Sequence, residues 1–433
     1  MRFADFLTRH KAFLGNVATM MSGKSIAAGI ALVTMPIIAR LFSPSDFGIA
    51  ALFLSLGVVV SNVGALRYEN ALVLPDQEAE ALLLMAFAYR LLIFVCAVLL
   101  LIIGGYELSD LTVPVLESLG MWLWLLPLSV LLLTMVTIQE NWLARRKMFK
   151  VVATSMVVGT AVTGGARIGF GALAGSSVFG LVVGHMFGQV FRLAVQKSAS
   201  SEGFRATFRP VGWTAIRRIA TKYSDFPRLN APAALLTAAT QQLPVILFGV
   251  LFSPAVVGFY AMATRVSHVP IVVVANSVRR VFLQKAAEIG HRGRSLRSAF
   301  LLSTGGLVLL GAGPLAVLWF SGQPLATWLL GERWSEAGRY LEIISPWLFM
   351  IWVTAPSNPV FIVLRKQRVW LHLQLATTVF RMSTFGIAFG LEASPEWTLG
   401  AFVIATVIGN VVIIGVSLLL ITRHHGPHPE NEA

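Results

Sequence analysis

The chain has 433 residues, of which 56% are hydrophobic and only 12% charged, and its mean hydropathy is +0.76. A soluble domain carries about 25% charged residues, so too few polar side chains exist here to cover a water-facing surface. The net charge of +14, from 34 Lys and Arg against 20 Asp and Glu, is parcelled into short basic segments between apolar runs, a pattern of membrane sidedness that argues against nucleic acid as a partner.

Apolar windows bounded by turn signals predict twelve membrane-spanning helices near 14–40, 47–67, 80–103, 119–142, 151–171, 176–195, 226–251, 255–278, 298–320, 341–364, 369–390 and 398–421. Ahead of the first, "MRFADFLTRHKAFL" sets Phe3, Phe6, Leu7 and Phe13 at helical spacing among Arg2, Arg9 and Lys11, which predicts a segment lying in the headgroup plane. No cleavable signal peptide is apparent, so the first spans are expected to act as their own insertion signals. Cys96, inside the third span, reads as a buried small side chain. In the sixth, "GLVVGHMFG" puts Gly180, Gly184 and Gly188 on one face as a packing strip. A basic, aromatic stretch, "SEGFRATFRPVGWTAIRR", separates the sixth span from the seventh and reads as a surface-lying connector.

Most of the Lys and Arg fall in the gaps at 1–24, 143–150, 192–222, 279–297 and 365–368, all on one side of the predicted bilayer, whereas Asp46, Glu107, Asp110, Glu117, Glu332, Glu336, Glu392 and Glu396 occupy the other. Positive loops stay in the cytoplasm. Both termini are therefore expected there, and the basic segments are expected to attract anionic membrane lipids.

The phrase "LFSPSDFG" at Leu41–Gly48 returns as "LFSPAVVG" at Leu251–Gly258, six spans later and on the same outer face. A second echo relates "LARRKMF" (Leu143–Phe149) to "LRKQRVW" (Leu364–Trp370), aligning Arg145 with Lys366 and Lys147 with Arg368. Two echoes in the same order predict an all-α membrane protein of two parallel six-helix repeats around a central cavity, the plan of one class of secondary transporter. The expected division is an N-terminal six-helix bundle (1–195), a connector (196–217) and a C-terminal bundle (218–433). Pro44 and Pro254 exclude the α conformation from the residue before each, and Gly48 and Gly258 let the following helices approach closely. Pro36 and Pro244, within the equivalent first spans of each half, join Pro44 and Pro254 as expected gates or hinges.

An ionisable group at mid-bilayer costs ~2.5–3.5 kcal/mol and usually faces protein or a wet cavity. Arg90, Arg167, Arg265 and Arg381 lie within spans, with Lys24, Arg67 and Arg228 nearer the inner ends. Acids at depth are fewer: Glu69, Glu140 and Asp225, the last spaced to pair with Arg228 on one helical face. The excess of arginine implies an anionic guest, because the planar guanidinium fork suits phosphate oxygens. Snorkelling to headgroups is the alternative for Arg67, Arg90 and Arg228, and a weaker one for Arg265 and Arg381. Arg265, Arg67, Arg381, Arg90, Arg228 and Lys24 are accordingly the candidate substrate-binding residues, and Glu69, Glu140 and Asp225 the candidates for proton or sodium coupling.

The stretches "LRYENALVLPDQEAEA", "QENWLARRKMFK", "YSDFPRLNAPAALLTAATQQLPVILFGVLFSPAVVGFYAMATRVSHVP" and "GERWSEAGRYLEIISPWLF" closely resemble bacterial polysaccharide and O-antigen flippases of the multidrug/oligosaccharidyl-lipid/polysaccharide exporter superfamily. The resemblance implies movement of undecaprenyl-pyrophosphate-linked oligosaccharide from the cytoplasmic to the periplasmic leaflet of a bacterial inner membrane by alternating access. It also implies cavity roles for Arg265 in "YAMATRV" and Arg67 in "LRYEN". Two other readings stand beside it. A multidrug or ion antiporter of the same superfamily would favour an acidic, aromatic cavity, and a membrane polymerase or ligase would need a larger outer loop than 104–118 or 321–340 offers. No enzyme activity, metal or cofactor is expected.

Overall fold

A computed structural model describes residues 11–173, 175, 177–202, 205, 212–291 and 296–423. The start of the predicted headgroup-plane segment, the middle of the connector and the histidine-bearing tail lie outside them. Among the described residues the chain is helical throughout, with no strand.

The first half runs α1 (Lys11–Leu41), α2 (Pro44–Ser61), a 3-10 stretch at Tyr68–Val73, α3 (Glu78–Glu107), α4 (Leu126–Arg145), α5 (Phe149–Leu173) and α6 (Val178–Ala199). A short helix, α7 (Trp213–Lys222), leads to α8 (Ala231–Leu251), α9 (Pro254–His291), α10 (Arg297–Leu330), α11 (Ser335–Val353) with its continuation Ser357–Val363, α12 (Gln367–Gly390) and α13 (Pro395–Arg423). Among the described residues, ten segments are long and apolar enough to cross a membrane. The predicted eighth and eleventh spans are the helices α9 and α12, of 38 and 24 residues, each longer than the ~20 helical residues that span 30 Å. α12 falls outside the ten by composition, since it carries Arg368, His372, Gln374 and Arg381 among its apolar residues. Large apolar side chains on the ten face outward, among them Leu101, Leu309 and Phe320, as a hydrocarbon solvent requires.

By packing, the chain divides into two compact units, 1–258 and 259–433. Packing places the boundary after the expected connector at 196–217, with α8 in the first unit, where it lies against α2.

In the first unit the opening of α2 is dictated locally. Ser43 is extended (φ −78°, ψ 158°), its Oγ accepts from the Asp46 amide at 3.2 Å, and Asp46 Oδ2 accepts from the Ser43 amide at 3.1 Å. This is a capping box with proline at the first helical position. The echo at Pro254 starts α9, but Val256 stands where Asp46 would be. The two phrases also meet each other. A Cβ on Gly48 would lie 1.7 Å from the Pro254 carbonyl oxygen, and one on Gly258 would lie 1.9 Å from that of Pro44. Glycine at both places is therefore a steric requirement of the joint.

Elsewhere in this unit Tyr68, Leu72, Leu84, Tyr89, Leu92, Ile138 and Trp142 form a core joined by Ile219 and Tyr223 at the end of the connector. Cys96 is buried, with its Sγ 3.5 Å from the Pro127 carbonyl oxygen. The α6 glycine strip packs as expected: Gly184 accommodates Arg167, whose Nε donates to the Leu181 carbonyl at 3.1 Å. Arg167 is thus a packed side chain between α5 and α6.

In the second unit α10 packs on α11, and α13 on both α11 and α12. Phe259 meets Trp334 and Tyr340 edge-on, at ring-centroid distances of 6.3 and 6.1 Å.

The second sequence echo is structural, in a corrected register. Lys147 (φ 58°) ends α4, with Met148 N donating to Leu143 O at 2.8 Å and Lys147 N to Ala144 O at 3.0 Å. Arg365 (φ 55°) does the same in the second half, with Lys366 N to Phe361 O at 2.8 Å and Arg365 N to Ile362 O at 3.1 Å. Both are Schellman turns with a left-handed residue after the helix. The counterpart of Lys147 is therefore Arg365, not Arg368.

Candidate substrate cavity

The second unit contains a cavity of about 300 Å³ whose lining is polar. Each of three segments supplies a stripe at helical spacing. From α11 and its continuation come Trp347, Ile351, Thr354 and Asn358; from α12, Trp370, Gln374, Thr377 and Arg381; from α13, Thr406, Gly409, Asn410 and Ile413. Arg279 of α9 completes it. No carboxylate is among the described lining residues.

Several lining groups are already committed to their own helices. The hydroxyls of Thr354, Thr377 and Thr406 donate to carbonyls four residues back, at 2.6, 2.8 and 2.7 Å, and Asn410 Nδ2 donates to Thr406 O at 2.8 Å. Arg381 is held by one hydrogen bond, Nη2 to Thr378 Oγ1 at 3.1 Å, while its buried Nε has no partner. The Tyr260 hydroxyl is an electrostatic neighbour of that guanidinium. A buried cation without a carboxylate is costly, so this arrangement favours an incoming anion and offers donors to hold it.

Of the other candidates in the second unit, Arg265 is exposed on α9 and is not part of the cavity lining. In the first unit, Leu66 and Arg67 both have positive φ (46° and 66°), and this turn drives Glu69 into the core, where it is 1% exposed. Arg67 Nη1 lies 3.6 Å from Glu69 Oε1, but Oε2 is buried without a hydrogen bond. Burial pushes the Glu69 carboxyl above the ordinary glutamate range, against the smaller opposing effects of its backbone hydrogen bond and Arg67. Arg228 is exposed on the π-helical turn Phe226–Asn230, close enough to Tyr68 to oppose the burial that raises that phenol. Glu140 forms an ion pair with Arg192, so its charge is already met. Asp225 is exposed and, contrary to the pairing expected from spacing, makes no ion pair with Arg228: the π-helical turn replaces the α-helical geometry on which that pairing relied. Arg90 is half-buried on α3, and Lys24 is exposed on α1. Pro36 and Pro244 lie inside α1 and α8, whereas Pro44 and Pro254 start helices.

Residues 37–339 match the family model described as polysaccharide biosynthesis protein. The chain belongs to the polysaccharide biosynthesis protein family.

A relative within reach of sequence comparison is the succinoglycan biosynthesis transport protein ExoT of Rhizobium meliloti (strain 1021), 24% identical over 341 residues. The match covers 77% of this chain and 66% of that protein, so the chain spans just under two thirds of its relative's length. The fold is shared with the lipid II flippase MurJ in an inward closed conformation, at a TM-score of 0.71 and 13% identity over 93% of this chain and 90% of that one. It is shared also with an inward-facing multidrug resistance MATE family transporter of the MOP superfamily, at 0.64 and 13% over 94% and 98%. This member of the polysaccharide biosynthesis protein family is therefore a multi-pass membrane protein with a transporter fold.

Of the two arginines that line the cavity, the sequence reading singled out Arg381 as a charge within a span and left Arg279 at the edge of an inner basic gap. The signal for the rest was present. Trp370, Gln374, Thr377 and Arg381 recur at intervals of three and four along α12, a stripe on one helical face.

Proposed function

We propose that this chain moves a polyprenyl-pyrophosphate-linked oligosaccharide from the cytoplasmic to the periplasmic leaflet of a bacterial inner membrane by alternating access, in surface polysaccharide or O-antigen assembly, with both termini in the cytoplasm. Family membership and the transporter fold support the class. The observation that carries the substrate is a polar cavity holding Arg279 and Arg381, with no carboxylate among its described lining residues. A cationic drug would meet repulsion there, whereas an anionic, hydroxyl-rich part of a lipid-linked oligosaccharide meets guanidinium, amide and indole.

In this reading Arg381 touches cargo in the cavity, and Arg265, Arg67, Arg90, Arg228 and Lys24 guide the anionic head along its route. The arginines lower the cost of taking negative charge through hydrocarbon while the tail stays in lipid. Release requires that the inward and outward states bind the head about equally. Among the acids, Glu69 is the best suited to carry a coupling proton, because its carboxyl is buried and incompletely paired. Pro36 and Pro244, interrupting the first helix of each half, supply bending points, with Pro44 and Pro254 at the joint.

The test is inactivation of the protein in its native host, followed by extraction of polyprenyl-linked sugars. Accumulation of one such species on the inner leaflet is expected. Normal levels with intact surface glycan would contradict the proposal.

A further inference from the structure

We infer that the cavity of the second unit is a subsite for a single sugar residue bearing a carboxylate, so that the cargo's glycan is acidic as well as its diphosphate linker. This rests on the proposed function and adds the chemical class of the glycan. Three features of the cavity lead to it.

The first is size. At about 300 Å³ the cavity stands at the small end of ligand sites, a size that suits one sugar residue. The second is the mixture of groups. A diphosphate is gripped by cations and backbone amides and has no use for aromatic faces, yet here two indoles, Trp347 and Trp370, share the lining with Asn358 and Gln374. Indole faces accept the C–H faces of a pyranose, and amides satisfy vicinal hydroxyls at both donor and acceptor atoms. The side-chain amides of Asn358 and Gln374 are not tied to any described residue, unlike that of Asn410.

The third feature is Arg381. A neutral sugar would leave its buried Nε unsatisfied and its charge unneutralised, the costly condition for an interior cation. A carboxylate on the ring supplies acceptor oxygens for Nε and a terminal nitrogen of the same fork. Sugar-type and anion-type recognition in one monosaccharide-sized space describe one ligand, a sugar acid.

Isothermal titration of the purified full-length protein in detergent tests this with three probes: methyl β-D-glucuronide, methyl β-D-glucoside and inorganic phosphate. The glucuronide is expected to bind saturably in the millimolar range, the glucoside about tenfold more weakly or not at all, and phosphate not detectably. Arg381→Gln is expected to lower glucuronide affinity by about tenfold, with Arg381→Lys in between. Gln374→Glu gives the cavity its own carboxylate without removing the arginine, and is expected to abolish glucuronide binding while raising the melting temperature.

Equal affinity for glucuronide and glucoside, phosphate binding as tight as the glucuronide, no glucuronide binding, or unchanged affinity in Arg381→Gln and Gln374→Glu would each overturn the assignment. None of these results bears on flipping itself, because a translocator of neutral glycan would still strand its lipid-linked cargo on the inner leaflet when inactivated.

Discussion

The second helix of each half is entered through the same four residues, Leu-Phe-Ser-Pro, and then goes a different way. In the first half α2 stops at Ser61, the chain turns through left-handed Leu66 and Arg67, and Glu69 enters the core. In the second half α9 starts on the same phrase and runs on to His291, presenting Arg265 and Arg279. The difference extends to how cations are treated. The first unit sets arginines and lysines against carboxylates: Arg67 with Glu69, Arg146 with Glu78 and Glu202, Arg192 with Glu140, and Lys222 with Glu80. In the second, Arg381 lines a cavity in which no described lining residue is a carboxylate. Duplication kept the helix starts and turns alike, and the groups that distinguish the halves lie where the copies diverged.

The comparison breaks most severely at the shared joint. Gly258→Leu or Gly48→Leu pushes a side chain into a backbone carbonyl that has no flexible neighbour to yield. Either is expected to cost about 3 kcal/mol, at the upper end for overpacking, read as a lowered melting temperature in detergent and poor insertion yield. A melting temperature equal to that of the wild type would refute the tight joint.

The pairing in the first unit is tested by Glu140→Gln, which leaves Arg192 half-buried beside a neutral group. A loss of about 1 kcal/mol is expected, and Arg192→Gln in the same background should recover part of it. Failure of the double substitution to recover stability would mean that the pair is not coupled.

Glu69 sharpens the contrast by pH. A carboxyl whose pKa rises on folding binds its proton more tightly in the folded chain, so its contribution is fully present at low pH. It is lost as pH climbs from the unfolded glutamate value of 4.5 through the raised folded one. The wild-type melting temperature is expected to fall across that window, and Glu69→Gln to remove the fall and to be the more stable at neutral pH. An identical pH profile in the two proteins would contradict the burial argument.

The smallest effect belongs to the matched turns. Lys147→Gly and Arg365→Gly relieve left-handed strain at equivalent sites, and each is expected to stabilise by about 1 kcal/mol or less. A gain at one site and a loss at the other would deny their equivalence.

The helices were legible in the sequence because hydrocarbon imposes long apolar runs, and the duplication was legible because the steric joint at Gly48 and Gly258 tolerates little change. The turn register was misread by matching basic side chains, Lys147 to Arg368, when the constraint acts on backbone handedness. Arg381 stood out as a charge in an apolar helix. Gln374, Thr377 and Asn410 did not, because amides and hydroxyls in spans commonly satisfy their own helix carbonyls and give no sign of facing a cavity. Glu69 was legible as an acid at depth, but not the left-handed turn that carries it into the protein core, which neither Leu66 nor Arg67 announces.

The most direct measurement is translocation of the lipid-linked oligosaccharide that accumulates on inactivation, reconstituted with purified protein in proteoliposomes, comparing Arg381→Gln with Arg67→Gln. Arg381→Gln is expected to slow translocation by at least about tenfold, and Arg67→Gln, in the unit that pairs its charges, by a much smaller factor. Wild-type rates with Arg381→Gln would contradict the claim that the unpaired guanidinium of the second unit handles the cargo.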